Sequence, residues 1–471
     1  MAKPPIIGGS REALMKRIVF CFDGTWNKLN EQTPTNVVLT AASIERTARD
    51  GVAQIIHYDE GVGTGRVEHL SGGMFGAGLV EHVRDAYRFL IFNYDPGDEL
   101  FIFGFSRGAF SARSFVGFLR HVGPLRRLHA GRIDEALELY RHRLDRKAGA
   151  DDELHRFRED YAGDVCIGAS DDAWRCENVP DYVAGAAPVM TIRYLGVWDT
   201  VSALGVPAVM PFSMELNREH LFHDASLDDF VENARHAVAL DERRVLFPSV
   251  PLGDVSALDA ARGHADDDVK APYQERWFPG VHGSVGGGGD IRGLSDFALA
   301  WVLDGAKAAG LHLDTAAGTR IHGFRPDPLA ALNNVANPKF DATHFAERDR
   351  SGPSSLSQLS NSALRRWQAP AASLPDGRLY RPASLAHLAS ALASLPPFIF
   401  VPPADLLAKV VVANGDTLSG LAFDHYHDAA RWREIFAANR DVLDDPDDVF
   451  SGQVLRIPRL PEIRDISGAQ A

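Results

Sequence analysis

The stretch of sequence that decides the fold is Leu100-Phe101-Ile102-Phe103-Gly104-Phe105-Ser106-Arg107-Gly108. Its first four residues are apolar and favour a buried strand, and the residues from Ala109 to Arg120 have a helical pattern. Gly-x-Ser-x-Gly between a strand and a helix is typical of the sharp nucleophile turn of α/β-hydrolases, where the two glycines avoid collisions with the flanking elements. We therefore predict that Ser106 is a catalytic nucleophile.

Further strands and helices alternate on both sides of this turn. Residues 18–22 form an apolar run that stops at Asp23-Gly24, residues 54–58 form a second run, and residues 190–197 form a later one. A helical pattern covers residues 79–93. This alternation predicts an α/β fold, with a mostly parallel sheet wrapped by helices.

Two charged segments are also predicted to be helical. The first, from Arg132 to Asp160, follows the nucleophile turn and has the character of a helical cap inserted into the fold. The second covers about Asp228 to Arg244. On this second helix we expect a structural salt-bridge network among Asp241, His236, Arg235, Arg243 and Arg244.

The composition indicates a globular protein of more than one domain. The 471 residues include 45% hydrophobic side chains and carry a net charge of −14, with no basic stripe to bind nucleic acid. We predict a catalytic domain at 14–350, an Ala/Ser/Pro-rich linker at 351–408 and a small module at 409–460. Three cysteines are too few for a disulfide framework. Since no apolar run is long enough for a signal peptide or a membrane span, we expect synthesis in the cytoplasm without a signal peptide.

A serine nucleophile needs two partners that the sequence must also supply. Its hydroxyl requires a histidine base, and the histidine requires a carboxylate that holds its tautomer. In α/β-hydrolases the chain order is serine, acid, histidine, each after a strand, and Asp199 and His282 fit that order. Asp199 is alternatively the N-cap of a helix, or does both. Other candidate acids are Asp241, Asp224 and Asp296.

The oxyanion of such a reaction is held by backbone N–H groups. One comes from the residue after the nucleophile, Arg107, and another from the loop after the first strand, where we assign Gly24 or Thr25. Asp23 and Asp241 are candidate supporting carboxylates, although Asp23 is equally a turn-forming residue. Since the sequence has no His-x-x-x-His or paired-cysteine spacing, we expect no metal and no cofactor.

The motifs around these residues resemble those of the DUF2235 family, the catalytic domain of type VI secretion phospholipase effectors of the Tle1 group. The resemblance spans about residues 16–350. The matching blocks are Cys21 to Asn27, Thr35-Asn36-Val37, Gly61 to Thr64, Gly104 to Ala109, Gly196 to Val201, Arg235-His236-Ala237, Leu240 to Arg244 and Trp277 to His282. The resemblance implies an α/β-hydrolase fold and esterase activity on phospholipid acyl chains, with Ser106, Asp199 and His282 as the triad.

One block departs from that family. After His282 the family usually has Ser-Asp-Val-Gly-Gly-Gly-Tyr, whereas this chain has Gly283-Ser284-Val285 and four glycines. An acid is therefore missing beside the base, so we expect activity or substrate choice to differ from the family's while the triad residues are retained. The alternatives are an inactive hydrolase-fold protein that binds peptidoglycan and an esterase of non-lipid substrates.

The C-terminal module resembles a LysM domain. The similarity rests on Val410 to Ser419, Trp432 to Asn439 and Ser451 to Pro458, in the order strand, two helices, strand. The resemblance implies binding of peptidoglycan or a related N-acetylglucosamine glycan beside Gly415, Asp416, Thr417 and Leu418. The alternative is a βααβ domain that docks to another protein.

Together the two resemblances imply a delivery route. A type VI effector is carried by a secretion apparatus into the periplasm of a target cell, where a LysM domain would hold it at the cell wall. We therefore expect phospholipid or another ester as substrate, and the secretion apparatus and an immunity protein as partners.

Overall fold

A computed structural model of the chain describes residues 15–24, 32–61, 72–141, 150–201, 227–265, 268, 270–314, 326–338, 342–395, 406–413, 415–440, 443, 446–447, 449 and 453–460. Two of the residues singled out by the sequence, Thr25 and Asp224, lie outside these ranges. Within them, no helix is both long and apolar enough to cross a membrane.

The main body is built on one six-stranded sheet. Its strands are β1 (Lys16–Phe22), β2 (Ala53–Asp59), β3 (Glu99–Phe105), β4 (Tyr194–Trp198), β5 (Ala234–Ala239) and β6 (Tyr273–Phe278). They lie in the order β2-β1-β3-β4-β5-β6, and each neighbouring pair is parallel. The predicted α/β fold with a parallel sheet is confirmed. Since the chain moves outward in opposite directions from β1 and β3, their carboxyl ends form the crevice where such sheets bind ligands.

Helices cover both faces of this sheet. They are α1 (Asn36–Ser43), α2 (Gly72–Asn93), α3 (Arg107–Val122), α4 (Ile133–Arg141), α5 (Ala150–Ala162), α6 (Ala169–Asn178), α7 (Val255–Ala261), α8 (His282–Gly286) and α9 (Gly293–Ala308). Alternate residues of β1 enter different cores: Ile18, Phe20 and Phe22 pack with α2 and α3, whereas Val19 and Cys21 pack with α1 and α9. The central strands are apolar throughout because both of their faces are buried.

Helices α4, α5 and α6 form the insertion that the sequence predicts between α3 and β4. Ala136, Leu137 and Tyr140 of α4 and Phe157 of α5 join the core that contains α2 and α3. No described residue of the insertion lines the pocket beside Ser106. The described helices of this insertion therefore thicken one side of the domain and do not cover that pocket.

The predicted helix from Asp228 to Arg244 is wrong. Residues 234–239 form strand β5, which lies between β4 and β6. The alternating charge predicted an exposed helix, but the polar residues of this strand have partners inside the fold. Arg235 donates to the Trp301 carbonyl of α9, and His236 bonds Glu275 through Nδ1. The expected salt-bridge network is also wrong. Asp241 lies after the strand and accepts hydrogen bonds from Gly280 and Tyr380. Arg243 pairs with Glu347 and Asp349, and Arg244 pairs with Glu242.

The region predicted as a linker begins with folded chain. Residues 351–395 contain helices α10 (Asn361–Gln368) and α11 (Ala389–Ala393) together with several short 3₁₀ turns. Trp367 and Tyr380 are buried in a core that also contains Trp277 of β6. This stretch is not an extended linker, because its large apolar side chains pack against the sheet beside β6. The sequence hides this, since these side chains are widely spaced among Ala, Ser and Pro.

The C-terminal module has its own small core. It comprises β7 (Leu406–Val411), α12 (Leu418–Tyr426), a 3₁₀ turn (Ala429–Arg431), α13 (Trp432–Ala438) and β8 (Val454–Pro458). Strands β7 and β8 pair antiparallel, and Leu421, Ile435 and Leu455 are among the residues buried between them and the helices. The predicted order of strand, two helices and strand is confirmed.

Candidate active site

Ser106 occupies a strained turn between β3 and α3. Its backbone has φ 60° and ψ −125°, a left-handed conformation that few residues other than glycine adopt. A Cβ at Gly104 would lie 2.7 Å from the Cα of Ala109, and a Cβ at Gly108 would lie 2.3 Å from the carbonyl oxygens of Phe22 and Asp23. Both glycines are therefore required, because α3 packs directly against β3 and the end of β1.

Three predicted site residues meet at the carboxyl edge of the sheet. His282 Nε2 lies 2.8 Å from Ser106 Oγ, and His282 Nδ1 lies 2.6 Å from Asp199 Oδ2. An ionised carboxylate only accepts hydrogen bonds, so Nδ1 carries the proton and Nε2 is left to accept from the serine hydroxyl. The imidazole is packed between the rings of Phe105 and Phe247, at centroid distances of 4.6 and 4.9 Å. The arrangement has the orientation that a general base needs.

Asp199 is fully buried and is held from several sides. Its Oδ1 accepts from the backbone N–H of Ala239 at 2.9 Å and from Arg350 Nη1 at 2.6 Å, and its Oδ2 accepts from Arg350 Nη2 at 3.1 Å besides His282. Burial by itself would raise the pKa of Asp199, but the Arg350 guanidinium and the His282 ring outweigh it and hold this pKa well below its usual range. Asp199 is therefore a stable carboxylate at neutral pH.

Two residues of this site were missed by the sequence reasoning. Arg350 carries no motif, and it lies 151 residues from Asp199 along the chain, so no local pattern pairs them. Glu242 accepts from the backbone N–H of His282 at 3.1 Å and from Arg244 Nη2 at 2.8 Å. Burial raises the pKa of Glu242, but Arg244 overrides this and lowers it. Glu242 had a signal, since it stands in the family block from Leu240 to Arg244.

The candidate supporting carboxylates lie one step further out. Asp241 accepts from the backbone N–H of Gly280 at 2.7 Å and from the Tyr380 hydroxyl at 2.8 Å, which fixes the loop before His282. Burial raises the pKa of Asp241. Asp23 accepts from the hydroxyls of Thr35 and Tyr58 at 2.7 and 2.9 Å. Neither carboxylate takes the place of Asp199 beside the imidazole.

The predicted oxyanion donors have different surroundings. Arg107 is the first residue of α3, so its N–H belongs to the helix end whose amides have no acceptor within the helix. Gly24 N–H donates to Asp23 Oδ1 at 2.6 Å, so it is engaged with its neighbour and is a poor choice for the second donor. Thr25, the other choice, is outside the described residues. Asp296, an alternative acid, pairs with Arg292 at 2.7 Å on α9.

A pocket of about 390 Å³ opens beside Ser106 and His282. Its walls include the apolar side chains Phe247, Val281 and Val335 and the cationic side chains Arg107 and Arg244. Burial lowers the pKa of Arg107 to about 10, which still leaves it positively charged at neutral pH. Among the described residues, no group of three or more His, Cys, Asp or Glu side chains is arranged to hold a metal ion.

Ser284, which replaces the usual family aspartate, lies on α8 two residues after His282. Its hydroxyl donates to the Leu332 carbonyl at 2.6 Å. The bonds between His282, Ser106 and Asp199 are present with serine at this position. The departure therefore does not prevent assembly of the three residues.

Two protein-family models match the chain. Residues 16–305 match the family described as type VI secretion system (T6SS), phospholipase effector Tle1-like, catalytic domain. The chain belongs to the Tle1-like phospholipase effector family. In addition, residues 410–458 of this Tle1-like chain match the LysM domain.

Two curated relatives match parts of this Tle1-like chain. An uncharacterized protein of Saccharomyces cerevisiae, YEL023C, is 28% identical over 247 residues, which are 49% of this chain and 32% of the relative. The potassium binding protein Kbp of Escherichia coli O6:H1 is 43% identical over 56 residues, which are 12% of this chain and 38% of Kbp. The chain thus spans about a third of the length of each relative.

Two solved structures are also similar. The crystal structure of an uncharacterized protein from Pseudomonas aeruginosa has a TM-score of 0.36 and 20% identity, and the match covers 64% of this chain and 47% of that one. The Tle1 effector bound to the VgrG spike of the type 6 secretion system has a TM-score of 0.29 and 16% identity, covering 58% of this chain and 51% of that one.

Proposed function

We propose that this Tle1-like chain is a serine esterase that hydrolyses the acyl ester bonds of phospholipids. His282 Nε2 accepts the proton of Ser106 as its Oγ attacks the ester carbonyl, and the oxyanion that forms is held by Arg107 N–H and a second amide. The proton then passes from His282 to the leaving lysophospholipid, which leaves an acyl group on Ser106. Water, deprotonated by His282, attacks this acyl-enzyme; His282 then returns the proton to Ser106 Oγ as the fatty acid is released.

The observation that carries this proposal is the hydrogen-bonded series from Ser106 through His282 to Asp199. Its two distances, 2.8 and 2.6 Å, are those of an assembled general-base system, and the series opens onto a pocket with apolar and cationic walls. An apolar wall suits an acyl chain, and Arg107 and Arg244 suit a phosphodiester, although Arg244 is also paired with Glu242, which lines the same pocket. The family description supports phospholipid as the substrate class.

The test compares hydrolysis by the wild type and by Ser106→Ala. Purified protein is incubated with phospholipid vesicles, and fatty acid and lysolipid are quantified by mass spectrometry. The matched control is Ser43→Ala, because Ser43 is a buried serine whose hydroxyl bonds only the Leu39 carbonyl of its own helix among its described partners. We expect Ser106→Ala to abolish release and Ser43→Ala to retain it; equal release by wild type and Ser106→Ala would refute the mechanism.

A fluorophosphonate probe separates an active enzyme from an inactive hydrolase-fold protein. The probe phosphonylates an activated serine with loss of fluoride, so labelling of Ser106 requires a working base. An unlabelled wild type would favour the inactive peptidoglycan-binding alternative. Labelling together with hydrolysis of soluble esters but not of vesicles would favour the non-lipid esterase.

We further propose that the LysM domain binds a glycan that contains N-acetylglucosamine, such as peptidoglycan. Gly415 has φ +91°, Asp416 accepts from the backbone N–H of Ala413 at 2.7 Å, and Thr417 caps α12. These contacts restrain Ala413 and residues 415–417. The side chain of Leu418 is buried in the module core, so its part in binding is confined to its backbone.

Binding is tested by sedimentation of the full chain with insoluble peptidoglycan. Asp416→Ala, which removes the acceptor of the Ala413 N–H, is expected to lower the bound fraction without changing fluorophosphonate labelling of Ser106. Exposed Lys409 of β7 provides the control as Lys409→Ala. Equal sedimentation of all three proteins would argue against this loop as the binding site.

The family description supports delivery by a type VI secretion apparatus, and an immunity protein would then protect the producer. The expected phenotype depends on compartment. Periplasmic expression of the wild type is expected to inhibit growth more than cytoplasmic expression, and Ser106→Ala is expected to relieve the inhibition.

A further inference from the structure

Arg350 lies directly behind the candidate triad, where its guanidinium makes four hydrogen bonds. Two go to the two oxygens of Asp199, at 2.6 and 3.1 Å, and two go to the carbonyls of Ala239 and Phe247, at 2.9 and 2.8 Å. The side chain is 7% exposed. A planar guanidinium bonded to both oxygens of one carboxylate fixes its rotation as well as its charge.

Asp199 needs such a restraint because its two carboxylate oxygens have different partners. Its φ of +36° is left-handed, a conformation that few non-glycine residues adopt. One oxygen must face the imidazole while the other accepts from the N–H of Ala239 on β5. Rotation of the carboxylate would break both contacts, and Arg350 is the cation that opposes this rotation.

The segment that carries Arg350 is itself tied to the site. Arg348 N–H donates to the Arg243 carbonyl at 2.7 Å, and the Arg243 side chain pairs with Glu347 and Asp349. Through this pairing, residues 347–350 lie along residues 243–247, which follow Glu242 and include the Phe247 ring against His282. The contacts that place Arg350 therefore also place the wall around the imidazole.

We propose that Arg350 is a positioning residue of the catalytic site, which fixes the Asp199 carboxylate so that Oδ2 faces His282 Nδ1. The inference rests on the proposed serine esterase function. It extends the catalytic unit beyond residue 305, where the family match ends, to a segment that the family description does not assign. Arg350 does not line the pocket beside Ser106, and we expect it to act through Asp199.

The test measures the rate at which a fluorophosphonate labels Ser106, which reports activation of the nucleophile without lipid binding. At metal sites, removal of a residue that orients a metal ligand typically costs about 10- to 100-fold in affinity or activity, and we expect a loss of about that size in Arg350→Ala. Arg350→Lys keeps the charge but not the two-pronged contact, so its rate should lie between those of wild type and Arg350→Ala. Added guanidinium, at concentrations far below those that unfold proteins, should accelerate Arg350→Ala by occupying the vacated space.

The matched control is Arg175→Ala. Arg175 is another buried arginine, and it pairs with the buried Asp171 at 3.3 Å within the α4–α6 insertion. Guanidinium should not change its labelling rate. Thermal unfolding of each variant shows that the rates refer to folded protein.

The outcomes separate this inference from the proposed function. A wild type that is not labelled overturns both. If the wild type is labelled and Arg350→Ala is labelled equally fast, the positioning role alone is overturned. The same holds if Arg350→Ala is slow and guanidinium does not accelerate it, or accelerates it no more than Arg175→Ala. If Arg350→Ala does not fold, Arg350→Lys decides the matter, and a wild-type rate in that variant overturns the role.

Discussion

Replacement of Asp199 by asparagine changes one atom of the site, and its effect can be worked out from the contacts. The Oδ1 position accepts from Ala239 N–H and from Arg350, so only the amide oxygen of asparagine can occupy it. The amide NH₂ must then occupy the Oδ2 position, where it donates to His282 Nδ1 and loses the hydrogen bond from Arg350 Nη2. This forces the proton onto Nε2, which can no longer accept from the Ser106 hydroxyl.

The expected loss for Asp199→Asn is that of a triad with the wrong tautomer, about 10⁴-fold in turnover. At 1.36 kcal/mol per factor of ten, this is about 5.4 kcal/mol of transition-state stabilisation. The assay is acylation of Ser106 by a p-nitrophenyl ester, and the rate is measured as the release of nitrophenol. Asp296→Asn is the control, because Asp296 is an equally buried aspartate that pairs with Arg292 on α9. If Asp199→Asn keeps more than a tenth of the wild-type rate, the assigned tautomer argument fails.

Three further predictions concern stability. Because the pKa of Asp199 is lowered in the folded state, its ionised carboxylate stabilises the fold fully above the usual aspartate pKa of about 3.9, and this stabilisation is lost as pH falls through the lowered pKa. The difference in melting temperature between wild type and Asp199→Asn should therefore narrow below about pH 4. A difference that stays constant with pH would contradict this. Gly108→Ala should yield insoluble or unlabelled protein, because its Cβ would lie 2.3 Å from two backbone oxygens, and soluble, fully labelled protein would argue against the packing of α3 on β1. Trp367→Ala should lower the unfolding free energy of the catalytic domain by about 3 to 5 kcal/mol in denaturant titration, whereas no change would mean that residues 351–395 are a linker after all.

The parts of the site that the sequence revealed are those encoded locally. The turn at Ser106 is recognisable because an apolar strand pattern is followed at once by a serine with a glycine two residues before it and two residues after it. Asp199 and His282 could be found because each follows a strand, and chain order limits the choice. Both rules depend on short-range pattern.

The parts that sequence reasoning missed depend on contacts between distant segments. Arg350 contacts Asp199 because residues 347–350 pair with residues 243–247. No sequence motif near either residue predicts that pairing. Strand β5 was mistaken for a helix because Arg235 and His236 are charged or polar although both have partners inside the fold. Burial of paired polar side chains overrides the expectation that such residues mark an exposed helix face.

Ser106 and Asp199 are two non-glycine residues with left-handed backbones at the ends of neighbouring strands. They are also connected, since Ser106 N–H donates to the Trp198 carbonyl at 3.0 Å. Such conformations cost on the order of 1 to 3 kcal/mol each, and glycine would relieve most of it. Selection for thermal robustness alone would therefore drive Ser106 towards glycine and remove the proposed nucleophile, whereas at Asp199 the buried ion pair with Arg350 opposes the same change. Directed evolution of this scaffold should accordingly screen for turnover and melting temperature together, because a stabilising substitution at Ser106 would abolish the proposed activity.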